Sequence, residues 1–245
     1  MSSQSELVHV FFHKQSYTFC YLIVDTKTQV GAIIDPVLDF DYYSGRSSTE
    51  FCDNLIKHVK ENNISIEWIL ETHAHADHLS AAPYLKEHVG GKISISCEIP
   101  QTQKTFKDIY HLPDSFVPDG RDFDHLFEDK EEFSVGTLQA YAFHTPGHTA
   151  DSITYVINNS AFIGDTLFMP DAGTARCDFP GGSASILYKS IQEILNLPEE
   201  TKLYMCHDYG TKQRDVEYLT TVKEQKEKNI HVGGKRKEQE FITIR

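Results

Sequence analysis

Glu71-Thr72-His73-Ala74-His75-Ala76-Asp77-His78 is the stretch that decides how this chain is read. It sets three imidazoles and a carboxylate close together, directly after the apolar run Trp68-Ile69-Leu70. Imidazole and carboxylate together form a ligand set for zinc, iron or manganese. His73 and His75 are two apart, so in an extended chain they point to one side. A strand that ends in a tight turn aims such a run into one pocket, and Asp77 and His78 then reach a second position across it. One histidine in this place would be read as a solvated loop residue. Three of them with an acid behind a strand form a motif whose context must be sought elsewhere in the chain.

That context is present downstream. His144-Thr145-Pro146-Gly147-His148-Thr149 follows the strand-like run 138–143. Ala161-Phe162-Ile163-Gly164-Asp165-Thr166 presents an acid after another short apolar run, and Leu203-Tyr204-Met205-Cys206-His207-Asp208 presents a histidine after a third. Each places a metal-capable side chain at a strand end, as in a metal site assembled on one rim of a sheet.

The ordered set THxHxDH, TPGHT, GDT and CHD resembles the metallo-β-lactamase superfamily, with four separated motifs spread over nearly the whole chain. The resemblance implies an α/β fold of αββα type: two mixed β-sheets face to face, helices outside, metal at one edge. It also implies ligands. His73, His75 and His148 form a first metal position, Asp77, His78 and His207 a second, and Asp165 is able to bridge.

Composition narrows the class. At 245 residues with 40% apolar side chains, one compact domain over 1–245 is the default. The N-terminus has no charged-then-apolar signal segment, and no apolar run approaches the ~20 residues needed to span a bilayer. The five cysteines, Cys20, Cys52, Cys97, Cys177 and Cys206, are widely spaced and odd in number. A reducing intracellular compartment, the cytoplasm, fits that usage best, with most of the thiols read as small packing groups. With 23 basic and 36 acidic residues the net charge is −13, which argues against a nucleic-acid substrate and its need for a basic footprint. A small anionic substrate then needs local cations that act against the overall field. The oligomeric state is open, a homodimer included.

Periodicity predicts strands at 8–12, 19–24, 30–34 and 93–96, and helices at 49–62, 79–88 and 101–109. On the first helix Phe51, Leu55, Ile56 and Val59 share the inner face, and His58 falls on the polar side as a surface residue. Residues 111–132 read as loop, and His111 and His125 within them are given no ligand role. Ser183 is placed to cap a helix that turns Ile186, Leu187, Ile191 and Ile194 inward. Residues 215–229 read as a polar helix and 241–244 as a last strand. There is a faint internal echo: Tyr21–Val24 leading to Ile33-Ile34-Asp35 parallels Tyr155–Ile157 leading to Ile163-Gly164-Asp165, each a hairpin followed by an acid.

Two enzymatic readings fit the motifs. In the first, a glyoxalase II-like hydrolase, two zinc ions activate a hydroxide against the thioester carbonyl of a glutathione thioester. The second is the persulfide dioxygenase (sulfur dioxygenase) branch, which uses a single Fe(II) per chain. Mapped by resemblance, its ligands are His73, His148 and Asp165, a two-histidine, one-carboxylate facial triad. His75, Asp77, His78 and His207 then either surround that centre or hold a second metal. Three features favour this second reading. Gly164-Asp165-Thr166-Leu167 followed by Gly173-Thr174-Ala175-Arg176-Cys177-Asp178-Phe179 resembles the dioxygenase pattern GDxL…GxxRxDF. Cys206-His207-Asp208-Tyr209 resembles its HDY segment. Only 38 residues follow His207, where glyoxalase II enzymes carry a longer helical region.

The expected reaction is oxidation of glutathione persulfide by dioxygen and water to sulfite and glutathione. By resemblance Arg176 holds a glutathione carboxylate; its bland alternative is an ion pair with Asp178. Arg46 and Arg214 are the next cations to consider, and Thr149 and Tyr209 are weaker pocket candidates. His144 is read as a neighbour of the ligands, and Cys177 as packing. A third, non-catalytic reading as an electron-transfer module of flavodiiron type ranks lowest, because it calls for an appended flavin domain.

Overall fold

The computed structural model describes residues 5–245; the opening residues of the stretch read above for a signal segment lie outside them. Three antiparallel strands, β1 (Glu6–His13), β2 (Thr18–Asp25) and β3 (Val30–Ile34), begin a sheet. A small hairpin follows, β4 (Val37–Asp41) and β5 (Arg46–Ser48), and then helix α1 (Glu50–Glu61). β6 (Ser65–Leu70) joins β3 in parallel, and β7 (Leu79–Ser80) pairs with β4. Helix α2 (Ala82–Val89), β8 (Lys92–Ser96), helix α3 (Ile99–Tyr110) and β9 (His125–Phe127) complete a six-stranded sheet of order β1-β2-β3-β6-β8-β9.

The second sheet repeats the plan. β10 (Glu132–Val135), β11 (Leu138–His144), β12 (Ile153–Ile157) and β13 (Ser160–Phe162) run antiparallel in order. Helix α4 (Ala184–Leu195) leads to β14 (Lys202–Tyr204), which is parallel to β13, and β15 (Leu219–Thr221) closes the edge. Helices α5 (Val222–Lys228) and α6 (Glu238–Ile244) end the chain.

Alternation along the strands builds the layers. Phe19, Tyr21, Ile23, Ile34, Trp68 and Leu70 face Ala140, Ala142, Ile153, Tyr155 and Phe162 between the two sheets. The intervening residues Cys20, Leu22, Val24, Ile33 and Ile69 point outward against Leu55, Ile56 and Val59 of α1 and Leu85 of α2. On the far side, Val156, Ala161 and Leu203 meet Leu187, Ile191 and Ile194 of α4 and Phe241 of α6. The result is the four-layer αββα sandwich. β2 is buried along its whole length, which is why it reads as one continuous apolar run rather than an alternating one. Among the described residues no helix is long and apolar enough to cross a membrane.

Several local expectations are corrected. His58 is half-buried, with its ring 4.4 Å from that of His9 and 5.5 Å from that of Phe11, because β1 lies over the end of α1 that carries it. Residues 79–80 pair as β7, so α2 begins three residues later than read. The acidic loop 111–132 contains β9, which extends the first sheet in parallel with β8. Ser183 does cap α4, accepting from Ile186 N, but the Ile186 side chain is 44% exposed. The 215–229 stretch divides into β15 and α5, and residues 241–244 are helical within α6.

Candidate metal centre

The four motifs leave the ends of four strands on one rim. His73 follows β6, His148 follows β11, Asp165 follows β13 and His207 follows β14. Residues 71–78 are not extended but a sequence of bends, so His73 and His75 diverge although their rings lie 4.1 Å apart.

Two groups of donors result. His73, His148 and Asp165 are all buried, and their donor atoms lie within 4.8 Å of one another. His73 Nε2 is 4.0 Å and His148 Nε2 3.7 Å from Asp165 Oδ2. His75, Asp77, His78 and His207 make the second group. His207 Nε2 is 3.3 Å from Asp77 Oδ2 and 3.5 Å from the other Asp165 oxygen, Oδ1. The Asp165 carboxylate therefore faces both groups, one oxygen to each. His75 sits with the second group, not with His73 and His148 as the binuclear ligand set implies.

The five imidazoles are held alike. His73 Nδ1 meets Thr72 Oγ1 at 3.0 Å, His148 Nδ1 donates to Arg176 O at 2.8 Å, and His78 Nδ1 to Leu79 O at 3.3 Å. His207 Nδ1 donates to Tyr17 O at 3.3 Å, and His75 Nε2 donates to Asp35 Oδ1 at 3.1 Å. Four of these acceptors are carbonyl or carboxylate oxygens, so the nitrogen that meets them carries the proton and the other keeps its lone pair. Four atoms of the cluster, His75 Nδ1, His78 Nε2, His207 Nε2 and Asp165 Oδ1, are buried without any hydrogen-bond partner. Buried polar atoms are otherwise almost always paired, and lone pairs left over in this convergent arrangement fit a metal ion.

The electrostatics follow from that crowding. Burial, and after it the charges of His75, His148, His207 and His78, hold His73 well below the usual imidazole range. His78 is lowered in the same way, by burial and then by His75 and His207. For His75 burial also acts downward, but the Asp35 and Glu71 carboxylates outweigh it and raise the ring well above that range. Neutral imidazole is the form that binds metal, and the crowding favours that form at His73 and His78.

Residues that the sequence reading left without a role build the walls. Asp35 is buried in the left-handed backbone region at the exit of β3. It accepts from Thr72 N at 2.8 Å, Thr72 Oγ1 at 2.9 Å, His75, and the Cys206 thiol at 3.6 Å. The buried Asp151 accepts from Ala74 N at 2.6 Å and so fixes the bend between His73 and His75. Only the internal echo pointed at Asp35; Asp151 carried no signal of its own beyond its place near TPGHT.

A cavity of about 580 Å³ opens onto the donors, bounded by Asp77, His148, Asp165, His207, Tyr209, Phe168, Phe179, Arg176 and Arg245. Arg176 lies over the Phe179 ring at 4.7 Å, and its Nε pairs with Asp178 Oδ1 at 2.7 Å. Both of its expected roles are thus geometrically available. Tyr209 lines the mouth with its ring parallel to His207. Thr149 does not: it is buried, and its hydroxyl is 2.7 Å from Ser152 Oγ within the turn. Arg214 is engaged by Asp208 and Asp171, and His144 turns to Phe127 O and Ser96 Oγ at 3.2 Å each.

With this geometry in view, the comparisons with known proteins are informative. The family model of the metallo-beta-lactamase superfamily matches residues 14–207. Glyoxylase B2 of Dictyostelium discoideum is 47% identical over 100% of this chain and 84% of its own length. A hydroxyacylglutathione hydrolase of Pelagibacter ubique is 32% identical over 80% of this chain and 68% of its own. Human mitochondrial persulfide dioxygenase ETHE1 is 30% identical over 83% of this chain and 68% of its own. The crystal structure of ETHE1 from Myxococcus xanthus matches with a TM-score of 0.76 at 30% identity, covering 97% of this chain and 89% of that one.

Proposed function

The chain belongs to the metallo-β-lactamase superfamily, and from that membership we propose that it is a persulfide dioxygenase with one ferrous ion held by His73, His148 and Asp165. The observation that carries the reading is that buried triad: two imidazoles whose outer nitrogens are engaged, and one carboxylate oxygen facing both. Such a facial set is the donor pattern of non-haem iron oxygenases. Iron bound there supplies redox chemistry toward dioxygen that zinc lacks.

The substrate is glutathione persulfide. Its terminal sulfur loses four electrons, one dioxygen takes them up, and water completes sulfite while glutathione leaves. The protein's own groups bind and orient. Arg176 stands at the cavity mouth as the cation for a glutathione carboxylate, where a planar fork binds both oxygens. Phe168 and Phe179 give apolar walls that exclude water from the sulfur. Asp77 and His207, facing each other at 3.3 Å, are placed to hold a water or a substrate proton beside the triad.

A second reading is supported by one specific feature: the unpaired nitrogens of His75, His78 and His207 converge with Asp77. Two zinc ions there and at the triad make a glutathione-thioester hydrolase. An oxygen electrode separates the two. The proposal expects oxygen uptake and sulfite on addition of glutathione persulfide. Hydrolysis of a glutathione thioester without oxygen uptake makes the second reading correct.

A further inference from the structure

We propose that a second cavity, beside the histidine run, is the dioxygen-binding pocket and entry route of the metal centre. The inference rests on the persulfide dioxygenase reading and assigns a place to that reaction's second substrate. The cavity measures about 310 Å³ and reaches inward to Glu71, His73, His75 and His78. It shares no lining residue with the cavity that holds Arg176, which meets the cluster through Asp77, His148, Asp165 and His207. The donors are thus bordered by two separate spaces.

The walls of the second space follow from the outer layer of the first sheet. Ile93 and Ile95 are two apart on β8 and so share the face turned to the helices. Ile99 opens α3, and Ala82 and Pro83 open α2. The three isoleucines and Ala82 are buried, whereas Ser80, Pro83 and Asp122 are exposed and Phe123 is half-buried beside them. The cavity therefore runs from the surface, at the 122–123 loop, to the histidines.

The two spaces differ in chemistry as the two substrates do. Glutathione persulfide is a charged tripeptide, and burying its charges against isoleucine walls without partners is costly. The cavity with Arg176 and Arg245 offers it cations. Dioxygen is small, uncharged and apolar, and needs no partner. Polar groups along the second cavity are turned to one another: the Ser80 hydroxyl donates to Glu71, whose other carboxylate oxygen lies 3.4 Å from His75 Nε2. A buried water needs two to four polar partners, whereas an apolar cavity of about 150 Å³ stays dry and takes up xenon. The volume and walls here suit a small apolar gas. A route of its own lets dioxygen approach the donors while the tripeptide fills the other cavity.

The test has a binding arm and a kinetic arm, both on the whole iron-loaded protein. Crystals pressurised with xenon should show the gas among Ile93, Ile95 and Ile99; xenon absent from that cavity overturns the proposal. Ile95→Phe and Ile99→Phe fill the space. Each should lose the xenon and raise the dioxygen concentration for half-maximal uptake by about fivefold or more, with the persulfide dependence, the rate at saturating dioxygen and the iron content unchanged. An unaltered dioxygen dependence overturns the proposal. So does a shift in the persulfide dependence instead, which would give the cavity to part of the tripeptide. If the unsubstituted protein consumes no dioxygen with glutathione persulfide, the dioxygenase reading fails and takes this inference with it. If it does consume dioxygen and the variants match it, the pocket alone is wrong. Circular dichroism identifies folded variants, and Phe123→Trp, on the half-buried loop at the mouth, carries the kinetic arm should both isoleucine variants fail to fold.

Discussion

Asp35 shows how much of a metal centre can rest on a residue outside every ligand motif. It holds the proton-bearing side of His75 and, through Thr72, steadies His73. Replacing Asp35 with Asn puts an amide where four donors converge, and such supporting partners typically cost ~10–100-fold in metal affinity. Chelator competition should show a loss of that size for Asp35→Asn in folded protein; an unchanged affinity would remove Asp35 from the account. Arg176 gives the second prediction at this scale. Its pair with Asp178 is solvent-exposed on both sides, and such pairs are worth little, so Asp178 yields readily to a substrate carboxylate. A hydrogen bond to a charged group is worth ~1.5–3 kcal/mol, so Arg176→Gln should raise the persulfide concentration for half-maximal oxygen uptake by about tenfold or more, and Arg176→Lys should recover part of it. Iron content should not change, because His148 is held by the Arg176 backbone carbonyl and not by the side chain. Unaltered kinetics would leave Arg176 as a partner of Asp178 alone. The clustered histidines were legible because imidazoles at strand ends are rare and ordered. Asp35 and Asp151 were not, because one acid among 36 acidic residues has no pattern until the chain folds around it.

At the scale of elements, the turn 145–149 and α4 are one device. Gly147 has φ +133°, and a Cβ there would lie 2.4 Å from the Leu187 backbone. Ser183 N donates to Gly147 O at 2.8 Å, and Ser190 Oγ to Pro146 O at 2.6 Å. The helix thus presses on the turn that presents His148. Gly147→Ala should lower both Tm and bound metal. Ser183→Ala should cost about 1 kcal/mol through its lost cap and leave metal content intact, since the bond to Gly147 comes from the Ser183 backbone. Calorimetry with elemental analysis on the pair tests the separation; equal metal loss from both contradicts it. The same scale shows where sequence reading stopped. Helix α1 and the β2–β3 hairpin were legible from apolar patterning alone. The 241–244 run was not, because a short apolar segment suits strand and helix equally. Tertiary contact decided it: Phe241 is buried beneath α4, with its ring 5.5 Å from that of Tyr188.

The whole molecule is two similar halves packed sheet face to sheet face. The echo of hairpin and acid proved structural: β2–β3 ends at Asp35 and β12–β13 ends near Asp165, and each acid serves the rim between the sheets. Away from that rim the halves are tied by Asp25, which leaves β2 and accepts from Thr137 N and Oγ1, both at 2.7 Å, in the turn between β10 and β11. Burial acts to raise this carboxyl, but the hydrogen bonds from Thr137, Lys27 and Thr28 together hold it well below the usual carboxylate range. A depressed folded-state value gives stability that is full above the unfolded value and lost as pH falls toward the folded one. The unsubstituted protein should therefore exceed Asp25→Asn in urea midpoint at neutral pH, and the gap should narrow below about pH 4; a gap that does not change with pH refutes the ionic role. The centre on the opposite rim carries the central claim. Its most direct measurement is elemental analysis of protein expressed with supplemented iron, set beside the single substitutions. The account predicts about one iron per chain, lost in His148→Ala and Asp165→Ala and largely kept in Asp77→Ala and His207→Ala. Two zinc ions per chain, or equal metal loss from all four variants, would contradict it.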